Sequence, residues 1–495
     1  MLPGTAYSAI SRHYVAVRGR RIAVLGRDDS GAGPVQPRSS QPAATGSAEH
    51  PQRPVTAQIP AAGLRLGLVR DPFAYLMDAA ARHEGLVRVG PGVLRTFVVS
   101  HPDHIRRILV TNAANYPKGS MMRPFRAALG NGLVTSEGDY WKRQRRLMQP
   151  AFHSRQLDAM EAHIAACVER AVARWRVDAQ QGVPVNILDE SIRLNVEIVL
   201  GALFGTSIDG PRAERLRELT SQVFAGLASK VWTFFLPDRL PMPGATVYRR
   251  AVAELDGEVY RIIGERRGSG DCPEDLLGLL LAAEDSETGE RMTDRQLRDE
   301  IFTLFMAGYE TTATGTTWIS YELANHPEIA ETSVAELDRV VAGESPTLAE
   351  LSQLEYQRRV INEAFRLHPP FPIWFRETVE PDMLGPYRLP AKARIILNPH
   401  ITHRDPRYWD DPESFDPDRF APDRFSSRMR HAYYPFGKGG RVCIGERLAT
   451  SVTQMVVSAL VRNFQFTVSD GFRVETRYVV TCQPRGGLPL VLRER

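Results

Sequence analysis

The sequence predicts a mainly α-helical fold with small β-sheets. Helical periodicity dominates from about residue 137 to residue 330. Within it, the periodic stretch from Thr293 to Asn325 is far longer than an ordinary globular helix. The β-rich runs are short and lie outside that region: Leu86–Val89, Thr96–Val99, Arg394–Leu397 and Arg477–Thr481.

In chain order, residues 1–27 carry Arg12, Arg18, Arg20, Arg21 and Arg27 with no acid before Asp28. Such a stretch reads as a disordered tail, an upstream start or, as a lesser alternative, an organelle-targeting peptide. Residues 28–60 are rich in Gly, Pro, Ser, Ala and Gln and read as a flexible lead-in, with order expected from Leu64. A first helix is expected over Asp71–Glu84. Leu86–Val89 and Thr96–Val99, split by Gly90-Pro91-Gly92, form a hairpin signal. Ser100 is expected to cap a helix over His101–Asn112. The apolar segment Val223–Pro243 ends in a Pro-rich loop, and residues 266–274 and 284–292 read as polar connections. Thr293 with Gln296 makes a capping-box start, and His326-Pro327 ends the helix that follows. At 1.5 Å per residue that helix is about 50 Å long, enough to cross a domain. Ile301, Leu304, Gly308, Thr311, Thr312 and Gly315 share one of its faces. Gly and Thr among apolar residues make a poor packing stripe but a reasonable cavity floor.

Composition narrows the function classes. The 495 residues can bury a large core and still enclose a ligand. A net charge of +4 over this length gives no argument for nucleic acid. Five lysines stand against 57 arginines, which fits a GC-rich, bacterial genome. Cys167, Cys272, Cys443 and Cys482 are widely spaced, so a disulfide framework is not expected and a reducing compartment is. Cys167 reads as a core residue. No apolar run reaches the roughly 18 residues of a transmembrane helix.

The strongest chemical signal is Phe436-Gly437-Lys438-Gly439-Gly440-Arg441-Val442-Cys443-Ile444-Gly445. A Gly-rich loop delivers one cysteine directly before an apolar helical pattern. Glycines let backbone N–H groups approach the sulfur, and the N-terminus of the following helix favours negative charge there. The loop resembles the heme-binding loop of cytochrome P450 enzymes at every defining position. The resemblance implies that Cys443 is the axial iron ligand, with Phe436, Gly439, Arg441 and Gly445 forming the loop around heme b (iron protoporphyrin IX).

Further motifs occur in the order the family has them. Ala307-Gly308-Tyr309-Glu310-Thr311-Thr312 resembles the oxygen-activation motif. By that resemblance Ala307 and Gly308 let the helix open beside the heme, and Glu310 with Thr311 relays protons. Glu363 and Arg366, three apart on one helix face, resemble the family pair that is joined by the arginine of Phe415-Asp416-Pro417-Asp418-Arg419-Phe420. The implied Glu363–Arg366–Arg419 triad is structural. Trp141 and Arg145 resemble the family's propionate-holding W-x-x-x-R pair, and Arg376 occupies the matching position after Pro372.

The resemblance covers about residues 64–493, so residues 61–495 are expected to be one catalytic domain: heme between a long central helix and a cysteine loop. It implies a monooxygenase that takes electrons from a separate ferredoxin or flavodoxin with an NAD(P)H reductase and puts one atom of O2 into a small apolar organic molecule. A terpenoid, steroid, fatty acid or polyketide would fit. The family's substrate-contacting regions map to Lys118–Asn131, Val223–Pro243, Phe302–Met306, Phe371–Phe375 and Thr481–Gln483, with Tyr309 also on the substrate side. Arg143, Arg146, Lys438 and Arg447 are candidates for a basic docking face. A monomer without a transmembrane anchor, in a bacterial cytoplasm, is expected. The alternative is a heme-thiolate peroxygenase, isomerase or dehydratase; such members commonly lose the acid–alcohol pair, which is intact here. A heme carrier or sensor would need neither that pair nor a large pocket.

Overall fold

A computed structural model describes residues 57–58, 72–83, 85–89, 95–205, 210–232, 244–269, 275–343, 345–478 and 480–495. The extension before Ala57, the expected onset of order at Leu64, the Gly90-Pro91-Gly92 turn and the end of the Val223–Pro243 segment lie outside those residues.

Five strands form the main sheet: β1 (Ala57–Gln58), β2 (Leu86–Val89), β3 (Thr96–Val99), β4 (Trp374–Glu377) and β5 (Arg394–Leu397). Their order is β1-β2-β3-β5-β4. The hairpin β2–β3 pairs Leu86 with Val99, as the sequence predicts. β1 runs parallel to β2, with Ala57 opposite Val87. The expected lead-in therefore ends in a strand: an edge strand can recruit any extended backbone, because the ladder uses no side chain.

The helix before the hairpin is shorter than expected, Pro72–Ala81. The cap after it also differs from expectation. His101, not Ser100, caps the helix Pro102–Arg106, its Nδ1 accepting the Asp103 N–H at 3.2 Å. Pro102 forces the residue before it to be extended, which puts the cap one position later. The helix then widens into a π-helical turn over Arg107–Thr111.

Helices α1 (Gly138–Met148), α2 (Ser154–Gln180), α3 (Ile187–Phe204), α4 (Gly210–Trp232) and α5 (Ala245–Ser269) follow. The last of these carries helix into the polar stretch that begins at residue 266. The long helix α6 spans Asp294–Asn325, 32 residues. Its capping box is complete: Gln296 Oε1 accepts the Thr293 N–H at 2.8 Å, and Thr293 Oγ1 accepts the Gln296 N–H at 3.3 Å. α6 packs most extensively on α3, and also on α5, α7 (Glu355–Leu367) and α8 (Glu446–Asn463). It is the axis around which the other layers are laid.

The expected strand Arg477–Thr481 is instead a hairpin, β6 (Thr476–Tyr478) and β7 (Cys482–Pro484), with Thr481 in its turn. The hairpin is held from both sides. Cys482 N–H donates to the Pro370 carbonyl at 3.0 Å, and Trp318 Nε1 of α6 donates to the Cys482 carbonyl at 2.6 Å. Among the described residues no helix is long and apolar enough to cross a membrane.

Candidate active site

A cavity of about 340 Å³ lies between α6 and the Cys443 loop. Leu304, Ala307, Gly308, Thr311 and Thr312 of α6 line it, so the expected floor is present. Gly315 and Ile301 are not on it. A Cβ on Gly315 would meet the Phe365 ring at 2.7 Å, so that glycine admits α7 rather than a ligand. Gly308 faces two ways: it lines the cavity, and a Cβ there would stand 3.1 Å from Val199 of α3. The helix is regular through this point, not opened. The Thr311 hydroxyl donates to the Ala307 carbonyl at 2.7 Å and the Thr312 hydroxyl to the Gly308 carbonyl at 2.9 Å. These back-bonds occupy the carbonyls that a widened turn would leave for water.

The cysteine loop is fixed by its own backbone. Cys443 N–H donates to the Phe436 carbonyl at 3.0 Å, and Val442 N–H to the Gly439 carbonyl at 3.0 Å. Gly439 has φ +70°, and a Cβ there would run into the Leu109 carbonyl. Only glycine suits both demands. Phe436 packs edge-on against Phe365 of α7, ring centroids 5.8 Å apart. Gly445 sits at the N-terminal cap of α8. Cys443 lines the cavity. Burial pushes its thiol up to about 11, while the backbone N–H groups of Gly445 and Glu446 pull the other way. The expected approach of backbone donors to the sulfur is thus present.

Beside the cysteine stands a group of cations. Arg376 of β4 is 5% exposed and its Nη1 donates to the Phe375 carbonyl at 2.7 Å. Burial, and then the neighbouring Arg441, lower it to about 10. Arg441 lies over the Trp141 ring, 4.0 Å from its centroid, and pairs with Glu137. Arg145 donates to the Val442 carbonyl at 3.0 Å, tying α1 to the cysteine loop. Lys118 was expected only as the start of a substrate-contacting stretch. Its Nζ bonds the Leu133 and Val134 carbonyls, and burial, followed by Arg441 and Arg376, holds it well below its ordinary value. Lys118, Trp141, Arg145, Arg376 and Arg441 all line the cavity. Buried cations that depress one another fit a ligand bearing carboxylates. A sulfur backed by N–H donors fits a metal. Heme b carries both groups, so the residues present fit it. No local sequence signal marks Lys118 for this role, because the scarcity of lysine follows from base composition.

The triad assembles as expected. Arg366 Nε and Nη2 donate to the two Glu363 carboxylate oxygens at 2.7 and 2.8 Å. Its remaining N–H groups reach the carbonyls of His403, Pro412 and Ser414 at 2.9, 2.7 and 3.0 Å. All five guanidinium donors are thereby used. Arg419 Nε donates to Glu363 Oε1 at 3.2 Å, and the Asp416 N–H to the same oxygen at 3.0 Å.

Glu310 departs from expectation. It does not line the cavity, although its neighbour Thr311 does. The acid is bonded to the β6–β7 hairpin instead. Thr481 Oγ1 donates to Glu310 Oε1 at 2.6 Å and Gln483 Nε2 at 2.8 Å. Burial raises the carboxyl to about 7. Of the expected Thr481–Gln483 contact stretch only Thr481 reaches the cavity; Tyr309 does not, and packs on Phe224 and Phe305. Substrate-side walls come from Phe125, Phe224, Leu227, Met306 and Phe371, as expected, and from α3, which was not expected.

The basic docking face is also revised. Arg143 pairs with Glu290 at 3.0 Å, and Arg146 with Glu287 and Asp285 at 2.9 and 3.1 Å. The connection after residue 284 is acidic and folds over α1, which neutralises both arginines. Lys438 bonds the Arg430 carbonyl, and burial lowers it to about 8.

Comparison with known proteins places this geometry. A family model described as Cytochrome P450 matches residues 53–486. The match begins before the onset that the motifs alone suggested. Cyclooctat-9-en-7-ol 5-monooxygenase of Streptomyces melanosporofaciens is 34% identical over 86% of this chain and 92% of its own. Pentalenene oxygenase of Streptomyces avermitilis is 33% identical over 83% and 90%. The crystal structure of a cytochrome P450DA mutant heme domain superposes with a TM-score of 0.79 at 25% identity, covering 88% of this chain and 96% of that one.

Proposed function

Since the chain belongs to the cytochrome P450 family, we propose that it inserts one atom of O2 into a terpenoid, with Cys443 as the axial iron ligand. It is a heme-dependent monooxygenase, an oxidoreductase that incorporates molecular oxygen. It works on a substrate with O2 and a redox partner. The observation that carries the ligand assignment is the Cys443 thiol on the cavity wall, backed by the Gly445 and Glu446 N–H groups. Heme, when bound, supplies the dioxygen chemistry, and thiolate ligation favours O–O cleavage.

In this reading the chain's own residues hold and orient. Arg376, Arg441 and Lys118 take the propionates, with Trp141 beneath Arg441 and Arg145 bracing the loop. Phe436, Gly439 and Gly445 shape the loop, and Ala307 and Gly308 bring the helix close. The Glu363–Arg366–Arg419 triad locks the region behind. The apolar walls exclude water and position a hydrocarbon. The terpenoid class rests on those walls and on the two Streptomyces relatives named above. Residues 61–495 act as one catalytic domain, a monomer in a bacterial cytoplasm. Electrons come from a ferredoxin or flavodoxin with its NAD(P)H reductase.

The test is turnover with surrogate redox partners under isotopically labelled dioxygen, after terpenoids are screened by spin-state shift. One labelled atom per product molecule is the expected result. A product without label, or no spin shift with any terpenoid, contradicts the proposal.

A further inference from the structure

Monooxygenation consumes two protons for each O2, one oxygen atom leaving as water, so protons must reach a cavity whose substrate-side walls are apolar. Glu310 does not line the cavity, and the Thr311 hydroxyl donates to the Ala307 carbonyl rather than to that acid. Thr481 joins the two sides. It is fully buried, it lines the cavity, and its hydroxyl is 2.6 Å from Glu310 Oε1. Residues two apart along an extended segment share a face. Thr481 and Gln483 therefore reach Glu310 together, while Cys482 between them anchors the hairpin through its backbone. Gln483 is only partly buried, and its Nε2 also stands 3.5 Å from Thr314 Oγ1, one turn beyond Glu310 on α6.

We infer that Thr481 is the hydroxyl through which Glu310 delivers protons to the cavity, with Gln483 as the positioning residue that holds the acid toward it. This rests on the monooxygenase reading above. In the step, Thr481 gives its hydroxyl proton to an acceptor in the cavity and takes the carboxyl proton of Glu310. The Glu310 carboxylate then regains a proton from solvent on the Gln483 side, so each pass brings in one proton, two passes serve one O2, and no residue is changed. A carboxyl raised to about 7 exchanges protons readily near neutral pH. Arg477, on the first strand of the hairpin, is the charged group whose field acts on that carboxyl, and it opposes the rise.

The test uses the heme-loaded enzyme with Thr481→Val, Thr481→Ser, Glu310→Gln and the Thr481→Val/Glu310→Gln double variant. Infrared difference spectra against pH follow the protonated carboxyl band, identified by its loss in Glu310→Gln. In wild type the band should titrate near neutral pH. In Thr481→Val its midpoint should move up, because the carboxylate loses a donor, and Thr481→Ser should restore it. The second readout is the share of NAD(P)H ending as peroxide. It should rise several-fold in Thr481→Val and no further in the double variant, with Thr481→Ser near wild type. Additive effects, or a moved band with unchanged peroxide, would reduce Thr481 to an anchor and overturn the inference. The infrared titration needs no turnover, so its outcome is separable from a failure of the monooxygenase reading.

Discussion

Two charged clusters flank the heme region, and they are built on opposite principles. Behind the cysteine loop, Arg366 and Glu363 are fully buried, and every Arg366 donor has an acceptor within the chain. On the cavity wall, Arg376 is buried and Lys118 half-buried; Arg441 depresses both, and the carboxylate that acts on them, Glu137, is paired with Arg441. A saturated cluster has no bonding capacity left for a ligand, so it can only hold the chain. An unsaturated one is an expense to the empty protein that a ligand recovers. Local completeness therefore separates the structural arginines from the binding ones, though both are Arg in a buried setting.

The largest expected effect falls on the saturated side. Glu363→Ala leaves two buried guanidinium groups without a counter-charge, a loss of about 3–5 kcal/mol. The expected result is apo or unfolded protein, read by heme content and urea denaturation. A stable, heme-loaded variant would place the triad in the same class as the wall.

The acids near the cavity sharpen the contrast through pH. Burial raises Glu310 to about 7, and likewise Glu300, whose carboxylate accepts the N–H of the cavity-lining Leu133 at 2.8 Å and Gln144 Nε2 at 2.9 Å. Both bind their proton more tightly folded than unfolded. Their stabilising contribution is complete below the ordinary carboxyl range and is lost as pH rises toward about 7. For Glu310 alone this is at most about 3 kcal/mol. Denaturation midpoints of wild type and Glu310→Gln should therefore diverge between acid and neutral pH, the variant being the flatter. Parallel curves would mean that the carboxyl titrates normally.

On the wall itself, Arg376→Leu should weaken heme binding by roughly 10–100-fold, about 1.5–3 kcal/mol. The same change should leave the heme-free protein as stable as wild type or more so, because a desolvated cation is gone. Heme titration and apo-protein melting measure the two halves; a destabilised apo-protein would make Arg376 structural. Lys118→Met should follow the same pattern more weakly, about 1 kcal/mol, because its ammonium already has the Leu133 and Val134 carbonyls.

What the sequence disclosed follows the same divide. The α6 capping box, the β2–β3 hairpin and the cysteine loop are local, and each was legible from neighbouring residues. The triad is long-range, and only resemblance joined Arg419 to Glu363. Where resemblance carried a residue's role but not its direction, it misled. The resemblance pairs Glu310 with Thr311, yet only Thr311 lines the cavity, while Thr481 and Gln483 hold the acid. Helical phase does not separate Glu310 from the cavity face, because it lies three and four residues beyond the cavity-lining Ala307 and Met306; its direction is set by the β6–β7 hairpin, which is distant in sequence. The pairing of Arg143 and Arg146 with the 285–290 connection was not readable, because it depends on how a loop folds over α1.

The most direct test of the account is the carbon monoxide difference spectrum of the reduced protein, for wild type and Cys443→His. The account predicts the red-shifted Soret band of thiolate ligation in wild type and its loss in the variant. Heme-loaded wild type without that band would contradict the assignment of Cys443, and with it the reading of the cavity.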